Sequence, residues 1–245
     1  AALLSKYQLL NKRLGQISEG KEAWLKHCQR YSDGRIHGSV LTNACVSGRC
    51  SHRNPNIANV PRVGAPYGAE CRALFHAPHG WRQVGCDASG LELRALGAQL
   101  AFFDGGEYAK LVSKEDFDIH THNAKLFGIY DGQGEIEKQT RELAKRLIYS
   151  VLYGGGPFRV GSILDPSLSE RKQKEIGYET IDTFYKNLPA IKKLKDKVDE
   201  KVTQRGYLIG IDGRHLQIRS RHSALNQLLQ STGSLCVKKA TCILY

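Results

Sequence analysis

The chain of 245 residues contains no methionine, no C-x-x-C pair and no apolar run near the ~20 residues that cross a bilayer. The absence of methionine extends to the first position. The chain begins Ala1-Ala2 and ends at Leu244-Tyr245 inside an apolar run, which is expected of an internal piece of a longer polypeptide. With no long apolar segment, no membrane partner is expected. No charged start followed by an apolar stretch and a cleavage site is present either, so no signal peptide is expected. Seven cysteines (Cys28, Cys45, Cys50, Cys71, Cys86, Cys236 and Cys242) form an odd set without a pairing framework, which points to reduced thiols in a cytoplasm. Cys45, Cys50 and His52 have no common zinc spacing and no partner pair follows them. Acid is scarce relative to base: 24 Asp and Glu against 36 Lys and Arg give a formal charge of +12. That balance favours a polyanionic partner, nucleic acid being the commonest.

Leu3 to Cys28 carries apolar residues at helical spacing, broken at Ser18-Glu19-Gly20, which predicts two helices. Arg35 to Val40 alternates as a short strand. Asn43 to Pro66 is rich in Asn, Pro, Ser and Gly and reads as a loop, with Arg49, His52, Arg53 and Arg62 able to grip phosphates. Trp81 to Cys86 predicts a strand entering Asp87, then a turn at Ala88-Ser89-Gly90 and a helix from Leu91 to Phe103. An aspartate at a strand end is a common metal-holding carboxylate, and equally a turn or cap residue. Glu92, in the first turn of that helix, could face the same cleft. Asp118 to Thr121 reads as a helix start; for His120, structural, phosphate-binding and proton-carrying roles all stay open. Ser169 to Phe184 and Ala190 to Val202 have helical periods. Tyr207 to Ile211 and His215 to Arg219 frame Asp212-Gly213 as a hairpin. Ser223 to Tyr245 reads as a helix with Asn226 and Gln230 four apart.

The most informative stretch is Thr140 to Pro157. As a helix it sends Leu143, Ala144, Leu147, Ile148, Val151 and Leu152 to one side and Arg141, Lys145, Tyr149 and Tyr153 to the other. Two cations followed by two rings suit a flat polyanion, the cations meeting phosphates and the rings a sugar and base. A solvated basic face is the plainer reading of the same residues. Gly154-Gly155-Gly156-Pro157 ends the helix.

Together these segments resemble the polymerase domain of family A DNA polymerases, the bacterial DNA polymerase I group, and most closely its bacteriophage replicative branch. Asp87-Ala88-Ser89-Gly90-Leu91-Glu92-Leu93-Arg94 is similar to the first catalytic motif. Arg141-x3-Lys145-x3-Tyr149-x3-Tyr153-Gly154 is similar to the nucleotide-binding helix. Ser47-Gly48-Arg49 with Asn54-Pro55-Asn56 and Asn59-Val60-Pro61 resembles the palm loop at the primer. Asp118-Ile119-His120 resembles a signature at the base of the fingers, and His222 to Gly233 the segment before the second catalytic motif. One such motif alone says little; five in order and at compatible spacing say much.

The resemblance implies an α+β, right-hand polymerase fold with a palm of antiparallel sheet and helices and mainly helical fingers, incomplete at both ends. Residues 1–32 would end the thumb, 33–96 and 205–245 form palm, and 97–204 form fingers, with the nucleotide-binding helix at about 135–153. The implied reaction is template-directed transfer of dNMP to a primer 3′ end in phage DNA replication, in the host cytoplasm. Its partners would be primer–template DNA and dNTPs, with room for a processivity factor. Two Mg²⁺ ions are implied, held by Asp87 and the Ala88 carbonyl. His120, Arg141 and Lys145 would take the triphosphate, Lys145 also being a candidate proton donor to pyrophosphate. Tyr149 would stack near sugar and base, Tyr153 would pack on Glu92, and Glu92 would stand where a ribose 2′-hydroxyl would come. That last placement argues against a single-subunit RNA polymerase. Arg49, His222, Asn226 and Gln230 would bind the primer–template, the donors among them meeting minor-groove acceptors present for every correct pair. Ser47 stands where Thr is commoner, and Tyr149 where many members have phenylalanine. The second catalytic motif, a His-Asp-Glu, is not in the sequence, so the 245-residue chain is expected to bind primer–template without extending it.

Overall fold

The computed structural model describes residues 2–244 and divides the chain into two compact units, Ala1–Asp87 and Ala88–Tyr245. In the first unit α1 (Ala2–Leu14) runs into a widened π turn (Gly15–Glu19) and α2 (Trp24–Gln29) follows. The expected break is present: Gly20 leaves the helix in extended conformation while its N–H donates to the Gly15 carbonyl. A small core gathers Ala23, Trp24 and Cys71, with Trp24 edge-on to Phe75 at 5.2 Å between centroids. His27 is buried beside it, its Nε2 2.9 Å from Glu22.

Three expectations for this unit need correction. The strand read at Arg35 to Val40 is β1 at Ser39–Leu41, so only its last residues are paired. The stretch read as loop from Asn43 to Pro66 contains the partner, β2 (Ser51–Arg53), antiparallel with Ser39 opposite Arg53. It also holds a 3₁₀ turn, Ile57–Asn59, capped by Asn56 Oδ1 accepting the Ala58 N–H. Trp81 to Cys86 is not a strand. A strand needs a neighbour to take its N–H and C=O groups, and no other segment among the described residues pairs with this one. Its apolar residues also lack a face to bury: Trp81 is 75% and Val84 88% exposed. The short α3 (Gly68–Ala73) had no legible period.

The second unit is mainly helical. It comprises α4 (Leu91–Asp104), α5 (Glu107–Val112), α6 (Ile119–Leu126), α7 (Lys138–Leu152), α8 (Pro157–Leu164), α9 (Glu170–Asn187), α10 (Pro189–Arg205) and α11 (Ala224–Leu244). A hairpin of β3 (Tyr207–Ile209) and β4 (His215–Gln217) lies between the last two helices, with Leu208 opposite Leu216. Both pairs of strands are antiparallel, so the architecture is α+β as expected. One apolar core joins the helices through Leu93, Leu96, Leu147, Ile148, Phe184 and Leu229. From α7 it takes Leu147, Ile148, Val151 and Leu152, with Leu143 packed at its edge. Each large aliphatic among them contributes roughly 1.5–3 kcal/mol over exposure.

Helices α8 and α9 cross backbone against backbone. A Cβ on Gly161 would overlap the Gln173 carbonyl, and one on Gly177 the Pro157 carbonyl. Neither α5 nor α8 was legible as a helix; α8 begins at Pro157, which stops α7 and supplies the first residue of the next helix. No helix among the described residues is long and apolar enough to cross a membrane.

Candidate functional site

Helix α7 separates its residues as the sequence period requires. Its core face is buried, while Arg141 and Tyr149 are half-buried and Lys145 and Tyr153 exposed on the other side. The Tyr149 and Tyr153 rings lie 5.9 Å apart between centroids at 54°. Tyr153 Oη donates to Glu92 Oε2 at 2.7 Å, which ties the end of α7 to the first turn of α4. Burial, followed by the nearby Glu92 carboxylate, pushes the Tyr149 phenol pKa up, so the ring stays a neutral donor. An open cavity of about 400 Å³ lies along α7 and α8, lined by Arg146, Tyr149, Ser150, Tyr153, Gly155 and Arg159. Arg146 and Arg159 had not been singled out. Arg146 precedes Tyr149 by one helical turn, a neighbourhood the four-residue ladder passed over.

At the N-terminal half of α7 the structure brings in Asp118, which the sequence placed only at a helix start. Asp118 caps α6: Oδ1 accepts the His120 N–H at 3.1 Å and Oδ2 the Thr121 hydroxyl at 2.6 Å. The same carboxylate takes a two-pronged grip from Arg141, Nε to Oδ2 at 2.7 Å and Nη2 to Oδ1 at 3.0 Å. Burial alone would raise the Asp118 pKa. The bonds from Arg141, Thr121 and the His120 N–H outweigh it and hold the carboxyl well below the usual range. Arg141 is held further into its charged form, first by the Asp118 bond. His120 sits beside them with Nδ1 buried and unpartnered among the described residues. Burial, then the charges of Arg141 and Lys145, push its pKa down, so its imidazole is neutral near pH 7.

The other end of α7 abuts the segment leading to α11. Gly154 adopts φ +80, and a Cβ there would overlap the His222 carbonyl. His222 is exposed, in a 3₁₀ turn (Arg221–Ser223) that opens directly into α11. Asn226 and Gln230 are half-buried one turn apart on α11, and Asn226 Oδ1 is enclosed with no partner among the described residues. The second unit thus gathers Glu92, His120, Arg141, Lys145, Tyr149 and Tyr153 about α7, with His222 at its C-terminal end. Arg49 and Asp87 belong to the first unit and both are exposed. Arg49 follows the buried Ser47-Gly48 pair, whose Gly48 N–H closes a turn on the Cys45 carbonyl. Asp87 follows the irregular stretch from Trp81, and Ala88 is exposed next to it at the start of the second unit. Their carboxylate and carbonyl oxygens are hard donors of the kind Mg²⁺ takes. Among the described residues no cluster of three or more His, Cys, Asp or Glu side chains forms a complete metal shell.

The model of "DNA polymerase family A" matches residues 1–244. The DNA-directed DNA polymerases of Enterobacteria phage T3 and Escherichia phage T7 are each 40% identical over 258 residues, covering 96% of this chain and 34% of theirs. The thermostable DNA polymerase I of Thermus aquaticus is 31% identical over 182 residues, 74% of this chain and 20% of that one. Among solved structures, the POL domain of Pol1 from M. smegmatis, in complex with DNA primer-template and dNTP, superposes with a TM-score of 0.71. It is 21% identical and covers 89% of this chain and 38% of that chain. The chain therefore has the fold of that polymerase domain, while spanning 34% of the phage relatives' length.

Proposed function

The chain belongs to DNA polymerase family A, and from that membership we propose that it supplies the nucleotide-binding part of a template-directed DNA polymerase. That enzyme adds dNMP to a primer 3′ end during phage DNA replication. The observation that carries the reading is the arrangement on α7: Arg141 and Lys145 lead to Tyr149 and Tyr153, with Tyr153 bonded to Glu92. Cations fit the phosphates of a dNTP, and rings one and two turns on fit its sugar and base. Arg141 would use the guanidinium edge turned away from Asp118 and Lys145 its point charge. Neutral His120 would donate to the same triphosphate. Glu92, held by Tyr153, would exclude a 2′-hydroxyl by volume and by leaving it poorly paired. Lys145 would hand a proton to departing pyrophosphate.

Mg²⁺ bound at Asp87 and the Ala88 carbonyl would supply charge stabilisation for the attacking and leaving oxygens of an in-line displacement. Arg49, His222, Asn226 and Gln230 would hold primer–template. Palm at residues 33–96 and 205–245, fingers at 97–204 and a thumb remnant at 1–32 complete the reading.

The test is equilibrium binding of a dNTP with Mg²⁺ and, separately, of a labelled primer–template. Primer–template affinity should fall as salt rises, by counterion release. Arg141→Ala and Lys145→Ala should each weaken dNTP about tenfold or more. A dNTP affinity indifferent to both substitutions would remove α7 from nucleotide binding and sink the reading.

A further inference from the structure

We propose that Asp118 is a positioning residue for triphosphate recognition: its carboxylate clamps one edge of the Arg141 guanidinium, so that the opposite edge is presented to the nucleotide. The inference rests on the nucleotide reading of α7 given above.

A guanidinium has five N–H donors in a rigid plane. Asp118 takes the Nε donor at 2.7 Å and one Nη2 donor at 3.0 Å. Three donors on the Nη1 side are left, enough for a phosphate. The nearest other carboxylate to that side is Glu142, with Oε1 3.9 Å from Nη1, beyond hydrogen-bond range. Without the clamp, Arg141 would be a long, half-exposed side chain on a helix face, free to sample many rotamers and to fall back on Glu142. Ordering it would then be charged against nucleotide binding. The clamp does this ordering in advance.

The carboxylate is itself fixed. As N-cap of α6 it accepts the His120 N–H and the Thr121 hydroxyl, so four donors from three residues converge on two oxygens. One side chain therefore sets the register between the first turn of α6, which carries His120, and α7, which carries Arg141. A different arrangement, in which Asp118 blocked the phosphate position, would have it occupy the Nη1 face; it occupies the Nε side instead.

The test compares Asp118→Asn, Arg141→Ala and the double variant in the 245-residue chain, measuring affinity for a dNTP with Mg²⁺ and for primer–template. Asparagine caps helices as well as aspartate does, so this substitution keeps α6 while removing the charge and one of the two Arg141 acceptors. Asp118→Asn should weaken dNTP about tenfold and leave primer–template affinity within twofold. In the Arg141→Ala background the same substitution should change dNTP affinity less than twofold, because the residue it positions is gone. The inference is overturned if Asp118→Asn leaves dNTP affinity unchanged or tightens it. It is also overturned if both ligands weaken alike, or if the effect persists without Arg141. If the unsubstituted chain binds no dNTP, or Arg141→Ala costs nothing, the nucleotide reading of α7 fails instead.

Discussion

Replacing Gly154 by alanine isolates the junction between α7 and the segment that starts α11. Two costs add. The backbone there is left-handed, φ +80, where an L side chain costs roughly 1–2 kcal/mol. The new Cβ would also overlap the His222 carbonyl, a backbone atom that cannot rotate away. Forcing a methyl into a filled site costs typically about 1–3 kcal/mol. Against these stands a gain of about 0.4–1 kcal/mol from a stiffer unfolded chain. The net expectation is a loss of about 2–4 kcal/mol, or a fall of about 5–15 °C in Tm for a chain of this size. Urea unfolding of Gly154→Ala beside Gly156→Ala gives the measurement its control. Gly156 has extended backbone, φ −79 and ψ −179, and open space where a Cβ would go. Equal stabilities for the two variants would show that the His222 contact and the left-handed turn cost nothing, and the reasoning would fail.

At the α8–α9 crossing, Gly177→Ala should destabilise by about 1–3 kcal/mol through overlap with the Pro157 carbonyl, read from the same urea curves. The pH dependence follows from groups with shifted pKa. His120 is pushed down by burial and by Arg141 and Lys145, His122 by burial and Lys125. The unfolded chain therefore takes up protons at a higher pH than the folded one, and stability should fall as pH drops through about 6.5. His120→Gln with His122→Gln should flatten that slope in urea titrations at pH 5–8, a range set by the ordinary histidine pKa of about 6.5. Asp118 is depressed instead, so its contribution is full above about pH 4 and fades as pH falls below that; Asp118→Asn should lose the acid-limb slope. In the complete polymerase the phenol of Tyr149 should partly replace a missing nucleotide 3′-hydroxyl, so Tyr149→Phe should discriminate more strongly against dideoxynucleotides in chain-termination assays.

What was legible in the sequence followed from local periods. The faces of α7, the helix start at Asp118 to Thr121, the break at Gly20 and the hairpin at Asp212-Gly213 are each set by residues within a turn or two of one another. What was missed depends on partners far away in the chain. Trp81 to Cys86 has the composition of a strand, but composition cannot supply a neighbouring strand. Helix α8 spans only eight residues, and it is held by glycine contacts to α9 that only the fold brings together. The Asp118–Arg141 pair spans 23 residues and two helices, so each residue was identified while the bond between them was not.

The tight junction at Gly154 makes α7 a lever with its fulcrum at one end. Arg141 lies thirteen residues from that point, about 20 Å along the axis at 1.5 Å per residue. A tilt of about 10° around the junction would carry the backbone at Arg141 some 3–4 Å and that at Tyr153 well under 1 Å. The backbone next to the junction is therefore insensitive to orientation, while the cationic end amplifies it. A tilt of that size is enough to break the 2.7 Å contact between Arg141 and Asp118.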